Sequence, residues 1–337
     1  MPDADHRPAP PGLPRPEFVL SVSPPSHARS GLLFGIVAYA CWGAVPLYFF
    51  QLKDVPALEI LAHRILWSMP LMLGVVALTR GGFADLGRVL RSRRLVLSLL
   101  GSALLLSGNW LLYIYATVTG KVAEASLGYY MMPLANAFLA TLFLREKLRP
   151  LHYPALALIA VGVAIPFVAA GKFTWLALAL PFTFGLYGLV RKKLPVDSGT
   201  GLTVETLLLS LPCASVVVWF VSGGLDPLGH PGVFARHLPT SGWLLLGGVV
   251  TVVPLLTYTL SVRRLPLLAQ SFIQFISPTV QLLIAVAVLG EEMSWDRWAA
   301  MGCVWLAVAV FIADAVLNAR RNRKATAKVI APVVSFK

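Results

Sequence analysis

Ten apolar runs, each near the roughly 20 residues that a helix needs to cross a bilayer, follow one another along this chain. They cover about residues 32–52, 59–79, 95–117, 123–144, 151–170, 173–190, 203–222, 242–262, 267–289 and 297–317. Short polar stretches separate them, and no strand-like alternation interrupts the series. The pattern predicts an all-α polytopic membrane protein with ten transmembrane helices. Residues 1–30 stand apart: eight prolines and no apolar core of signal-peptide length predict a disordered cytoplasmic tail. Residues 319–337 form a second, basic tail.

Composition agrees with the pattern. With 57% hydrophobic and 13% charged residues among 337, and a mean hydropathy of +0.76, the apolar surface exceeds what a water-soluble core can bury. The net charge of +13 invites a nucleic-acid reading. Yet the Lys and Arg residues sit in short clusters between apolar runs and form no basic face, so no nucleic-acid partner is expected. Assigned to alternate sides of ten spans, 22 of the 28 basic residues fall on one side and five on the other, with Arg64 inside a span. The positive-inside rule then places both termini in the cytoplasm, and the protein is expected in the plasma (inner) membrane.

An internal repeat is visible in two stretches. "MPLANAFLATLFLREK" (132–147) and "SPTVQLLIAVAVLGEE" (277–292) each carry a proline, an apolar run and a terminal acid, and Pro133 and Glu146 match Pro278 and Glu291 at one offset of 145 residues. The same register pairs Tyr129 with Gln274, Asn136 with Gln281, Tyr113 with Tyr258, Ser126 with Ser271, and Trp42-Gly43 with Tyr187-Gly188. Residues 31–171 and 172–318 thus read as two five-helix repeats. Five is odd, so the second enters from the opposite side, and inverted pairs of this kind characterise secondary transporters that alternate around a midplane site.

Proline has no N–H, so Pro133 leaves the carbonyl of Tyr129 without a helical partner and Pro278 does the same for Gln274. Tyr129, Pro133 and Asn136 share one helix face, as do Gln274, Pro278 and Gln281. These faces, with Trp42 and Tyr187, are the expected lining of a substrate cavity, against a plainer role in helix packing. Glu146 and Glu291 are expected as interfacial caps or ion pairs, Glu146 beside Arg145 and Lys147. In the second span Glu59, His63 and Trp67 share a face next to Arg64. His63 and Glu59 are candidates for proton coupling, the alternative being that Glu59 and Arg64 snorkel to the headgroups. Asn109, Trp110, Glu124 and Glu205 are weaker candidates, the two acids lying near span ends.

Cys41, Cys213 and Cys303 lie on three different spans without metal-type spacing and read as packing residues. His230 and His237 read as a solvated loop, so no metal and no cofactor is expected. No phosphate-binding G-x-x-x-x-G-K-[ST] occurs. Ser68 and His63, five apart on one helix, are poorly spaced for a nucleophile and base. No catalytic residue is assigned, and an intramembrane enzyme ranks far behind a transporter. A lipid-linked flippase or a passive facilitator is the nearer alternative, since both use the same architecture.

The stretches "AYACWGAVPLYF", "EILAHRILWS", "GNWLLYIYA", "EASLGYYMMPLANAFLATLFLREKL", "YGLVRKK" and "VTVVPLLTYT" together resemble the drug/metabolite transporter superfamily, in its EamA-type branch and RarD subfamily, over about residues 31–318. The resemblance implies ten helices in two inverted repeats, a central cavity and export of small amphipathic or aromatic molecules. The chain departs from the family pattern at Arg145, where a glycine precedes the acid, and at Ser271 and Ser277, where glycines flank the Gln-aromatic segment.

Overall fold

The computed structural model describes residues 25–118, 128–171, 175–287 and 294–334. Among them the regular secondary structure is helical, apart from one isolated bridge between Leu225 and Pro231. In chain order the helices are α1 (Pro25–Phe50), α2 (Ala57–Leu78), α3 (Gly82–Arg91), α4 (Arg93–Val118), α5 (Met132–Leu144), α6 (His152–Ala170), α7 (Trp175–Lys193), α8 (Ser198–Val221), α9 (Leu238–Val262), α10 (Leu267–Ile273), α11 (Ile276–Ala287) and α12 (Trp295–Val334). Seven are long and apolar enough to cross a membrane: α1, α2, α4, α6, α8, α9 and α12. α5 is a shorter apolar helix.

The sequence sets most of the boundaries. Asp197 opens α8 by accepting the Gly199 and Thr200 amides at 2.8 and 3.3 Å, which satisfies two of the donors that a helix start leaves free. α5 closes on Arg145, held in the left-handed region at φ +54°, while the Glu146 amide returns to the Ala140 carbonyl at 3.1 Å. That conformation favours glycine, the residue that the resemblance leads one to expect at this position. The span expected at 267–289 is broken at Gln274–Phe275 into α10 and α11, just ahead of Pro278. Two features lie outside the sequence expectation: α3 is an additional helix in the basic stretch after α2, and residues 25–30 of the expected tail are already helical.

Helix packing follows a reciprocal scheme. α2 packs on α8 and α6 on α12; α1 lies against α9 and α11, while α7 lies against α4 and α5; α5 also meets α10. The largest core cluster joins Tyr39, Met72, Leu106, Leu139, Tyr187, Leu202, Tyr258 and Leu267 from eight of these helices. Large apolar side chains also cover the outside, Leu78, Val168 and Leu211 among them, as a helix bundle in lipid requires. Cys41, Cys213 and Cys303 are free thiols of intermediate burial on α1, α8 and α12.

Candidate functional site

Broken helices need partners for their freed carbonyls, because lipid supplies none. Gln274, at the break between α10 and α11, donates its Nε2 to the carbonyl of Tyr129 at 3.3 Å, the group that Pro133 leaves free. Gln281 donates Nε2 to the carbonyl of Trp42 at 3.4 Å and to Ser277 Oγ at 3.3 Å. Pro46 lies inside α1, four residues after Trp42, so this carbonyl too has lost its helical donor. Two glutamines therefore serve two proline-freed carbonyls across helix interfaces. The carbonyl of Gln274, freed by Pro278, accepts the Ser277 amide at 2.9 Å. Pro46 is absent from the sequence reading, although the four-residue arithmetic that links Pro133 to Tyr129 identifies it.

Trp42 and Tyr187 meet in an aromatic cluster. Trp42 packs on Tyr39, Phe184 and Tyr258 with ring centroids 5.3–5.7 Å apart, and Tyr187 stacks on Tyr258 at 6.0 Å. Tyr129 packs edge-on to Tyr113 at 5.7 Å. Glycines permit the approach: a Cβ at residue 43 would overlap Val280, one at 188 would overlap the Tyr258 hydroxyl, and one at 185 would lie 2.7 Å from Asn136 Oδ1. Asn136 is 4% exposed and its Oδ1 has no partner; the Tyr187 hydroxyl and Gln274 Oε1 are likewise unpaired. The expected cavity residues thus surround one packed core and leave several polar atoms unsatisfied within it. Glu291, Glu124 and Ser126 lie outside the described residues.

At the start of α2 the snorkelling alternative is corrected: Glu59 is fully buried and Arg64 is 5% exposed. Glu59 accepts the Val233 amide on both oxygens, at 3.1 and 2.9 Å, and the Phe234 amide at 2.9 Å, so it anchors the loop between α8 and α9. His63 Nδ1 accepts the Trp67 indole N–H at 2.8 Å, with the imidazole packed on Phe234. Arg64 donates Nε to Thr251 at 3.0 Å and lies over the Trp110 ring at 4.5 Å, a cation–π contact that replaces water around the guanidinium. The Arg64–Thr251 hydrogen bond thus joins α2 to α9.

Glu146 takes the expected cap and ion-pair role, with a partner other than its basic neighbours Arg145 and Lys147: it pairs with Lys192 of α7 at 3.6 Å and accepts the Leu267 amide at 3.2 Å. Lys192 also donates to the Leu265 carbonyl at 2.5 Å. The ends of α5, α7 and α9–α10 are therefore clamped together. One residue back, Arg191 is 1% exposed and faces Glu205 of α8, 3% exposed, at 3.6 Å. Ser102 of α4 donates a hydroxyl to the same Glu205 oxygen. Glu205 also borders a cavity of about 30 Å³ between α2, α4, α8 and α9, with Ser68, Trp110 and Thr251 in its wall. The span-end reading of Glu205 misses this pairing because α8 begins several residues before the apolar run. Asn109 joins α4 to α7 through the Leu180 carbonyl and Thr183 Oγ1, at 2.8 and 2.9 Å. Among the described residues no group of three or more His, Cys, Asp or Glu side chains can hold a metal ion.

Comparison with known proteins bears on this geometry. A profile of the EamA-like transporter family matches residues 29–168. An uncharacterized transporter of Pseudomonas aeruginosa is 40% identical over 298 residues, 88% of this chain and 97% of that one. Protein RarD of Escherichia coli is 36% identical over 298 residues, 88% and 99% of the two chains. The chloramphenicol-sensitive protein RarD of Pseudomonas aeruginosa is 29% identical over 283 residues, 82% and 92%. A crystallised protein shares the fold at a TM-score of 0.63 and 20% identity, over 83% of this chain and 96% of that one. The apolar helices, the proline-broken segments and these relatives together show that the chain belongs to the EamA-type transporter family, in its RarD subfamily, and is a multi-pass membrane protein.

Proposed function

We propose that the protein is a secondary transporter that exports small amphipathic or aromatic solutes by alternating access between two inverted five-helix repeats. In this reading ten segments span the membrane, with α10 and α11 forming one broken span, and both termini lie in the cytoplasm. The observation that carries it is the reciprocity of the packing. Under the 145-residue register, α2 and α8 are equivalent and pack on each other, as do α6 and α12. α1 lies on α11 of the other repeat while α7 lies on α5. A pair of repeats related by a two-fold axis in the membrane plane would meet in this way, and rocking of one against the other opens the central core to either side.

The solute would take the place of the packed rings at Trp42, Tyr187 and Tyr258, with Tyr129, Asn136, Gln274 and Gln281 supplying polar contacts. Aromatic walls suit an apolar or aromatic body, and the unpaired Asn136 Oδ1 and Gln274 Oε1 suit a donor on it. The test is flux into proteoliposomes of a panel of radiolabelled amphenicols, amino acids and other small solutes. Saturable flux of one solute, at least tenfold lower in a folded Asn136→Ala, Gln281→Ala variant, is expected. Flux of that solute unchanged in the variant would return both residues to packing, and the absence of any solute flux would favour a lipid-linked flippase.

A further inference from the structure

Arg191 and Glu205 are a buried charge pair that nothing in the transport reading uses. Both lie in the interior, 3.6 Å apart at their closest approach. Arg191 NH2 donates to the Ser198 carbonyl at 3.0 Å. Its Nε and NH1, Glu205 Oε2, the Ser198 hydroxyl and the Tyr187 hydroxyl have no partner. Nevertheless the space is shaped for the pair: a Cβ at Gly201 would overlap the guanidinium, so α8 leaves a slot for Arg191.

A buried pair is a gain only when its remaining donors and acceptors are satisfied. Here they are not, so the pair is held loosely and small changes in charge can separate it. Its position gives such a change a consequence. Arg191 directly precedes Lys192, whose ammonium with Glu146 and the Leu265 carbonyl clamps the ends of α5, α7 and α9–α10.

We propose that Glu205 is a proton-binding site: a proton taken up on its unpaired Oε2 neutralises the carboxylate, releases Arg191 and loosens the Lys192–Glu146 clamp. This rests on the transporter reading, to which it adds the coupling ion. A proton fits better than a metal cation, because a metal ion would need several oxygens where the guanidinium sits. The groups that face Glu205 agree. α7 presents Arg191 and, farther off, Tyr187. α4 presents the Ser102 hydroxyl, and α9 brings Tyr258 stacked behind Tyr187. α2 brings Ser68 to the adjoining cavity. Among the described residues α2 and α3 add no ionisable group to its interactions. His63 and Glu59, the sequence candidates for coupling, have their Nδ1 and carboxylate oxygens occupied by Trp67 and by loop amides.

Two readouts on the full-length protein in lipid nanodiscs test the site without any solute, so their failure is separate from a failure of the flux test. Infrared difference spectra between acid and neutral pH should show a protonated-carboxyl C=O band that Glu205→Gln abolishes, Glu205→Asp shifts and Glu59→Gln leaves in place. Separately, Glu205→Gln mimics the protonated form and should raise acetylation of Lys192 by sulfosuccinimidyl acetate at least threefold at one fixed pH, with exposed Lys193 as the internal control. A band unchanged by Glu205→Gln overturns the proton site. Lys192 labelling equal to wild type overturns its link to the clamp.

Discussion

Two carboxylates in this protein are almost equally hidden, Glu59 at 0% and Glu205 at 3% exposure, yet they are treated oppositely. Glu59 receives two backbone amides through three contacts of 2.9–3.1 Å and has no further obligation. Glu205 has one oxygen shared by Ser102 and Arg191 and one with no partner at all. A saturated buried charge fixes two segments together, because every alternative costs desolvation. An unsaturated one lies near balance and can change partner. Glu59 reads as an anchor for the loop over the start of α2, and Glu205 as a point where the structure can switch.

The strongest way to break the comparison is Arg191→Met, which strands Glu205 without a counter-charge. A loss of about 3–5 kcal/mol is expected, read by thermal unfolding in nanodiscs. Arg191→Met with Glu205→Met should recover most of it, whereas equal losses in the single and double variants would show that the pair is not under-satisfied.

Glu59→Ala is expected to cost about 2–3 kcal/mol, the scale of hydrogen bonds to a charged group, and to speed proteolysis within 222–237. Unchanged cleavage of that loop would end its reading as an anchor.

The carbonyl caps supply an uncharged control. Gln281→Ala should cost about 1 kcal/mol. Pro46→Ala restores a helical donor to Trp42, so combining the two should reduce the cost of Gln281→Ala, and additivity in that cycle would remove the cap from the account.

The smallest effect is expected at Asp226, a half-buried carboxylate in the loop between α8 and α9. Burial works against its charged form but is outweighed by hydrogen bonds from the His230 amide and ring and the Leu228 amide, which hold it below the usual aspartate value. A depressed folded value means that its stabilisation is complete above the unfolded value and is lost as pH falls through the folded one, below about pH 4. Hydrogen exchange of the Leu228 and His230 amides should quicken in that window, and Asp226→Asn should flatten the response.

Apolar runs announce the helices, and the proline–carbonyl arithmetic finds the break ahead of Pro278 and the Tyr129 carbonyl that Gln274 meets. Lipid offers no competing hydrogen bonds, so backbone obligations in a span can be counted from the chain alone. Partners across helices are less legible. Glu146 has basic neighbours at 145 and 147, yet its partner is 46 positions away in Lys192, because the left-handed turn at Arg145 redirects the chain. Arg64 and Glu59 fit a snorkelling pattern by position. Their burial follows from the loop at 231–237 and from Thr251 and Trp110, which local spacing does not encode. α3 escapes a search for apolar runs because Asp85, Arg88 and Arg91 interrupt its short length, while Leu86 and Val89 still bury against the bundle.

Movement at the Lys192–Glu146 clamp is the most direct test of alternating access. Spin labels at Lys147→Cys and Lys193→Cys, in a background with Cys41, Cys213 and Cys303 replaced, report the distance between the α5 and α7 ends by pulsed electron resonance. Two populations are predicted, a closed one with the clamp formed and an open one that grows in Lys192→Met. A single distance, unchanged by Lys192→Met, would contradict the rocking of two repeats around a central site.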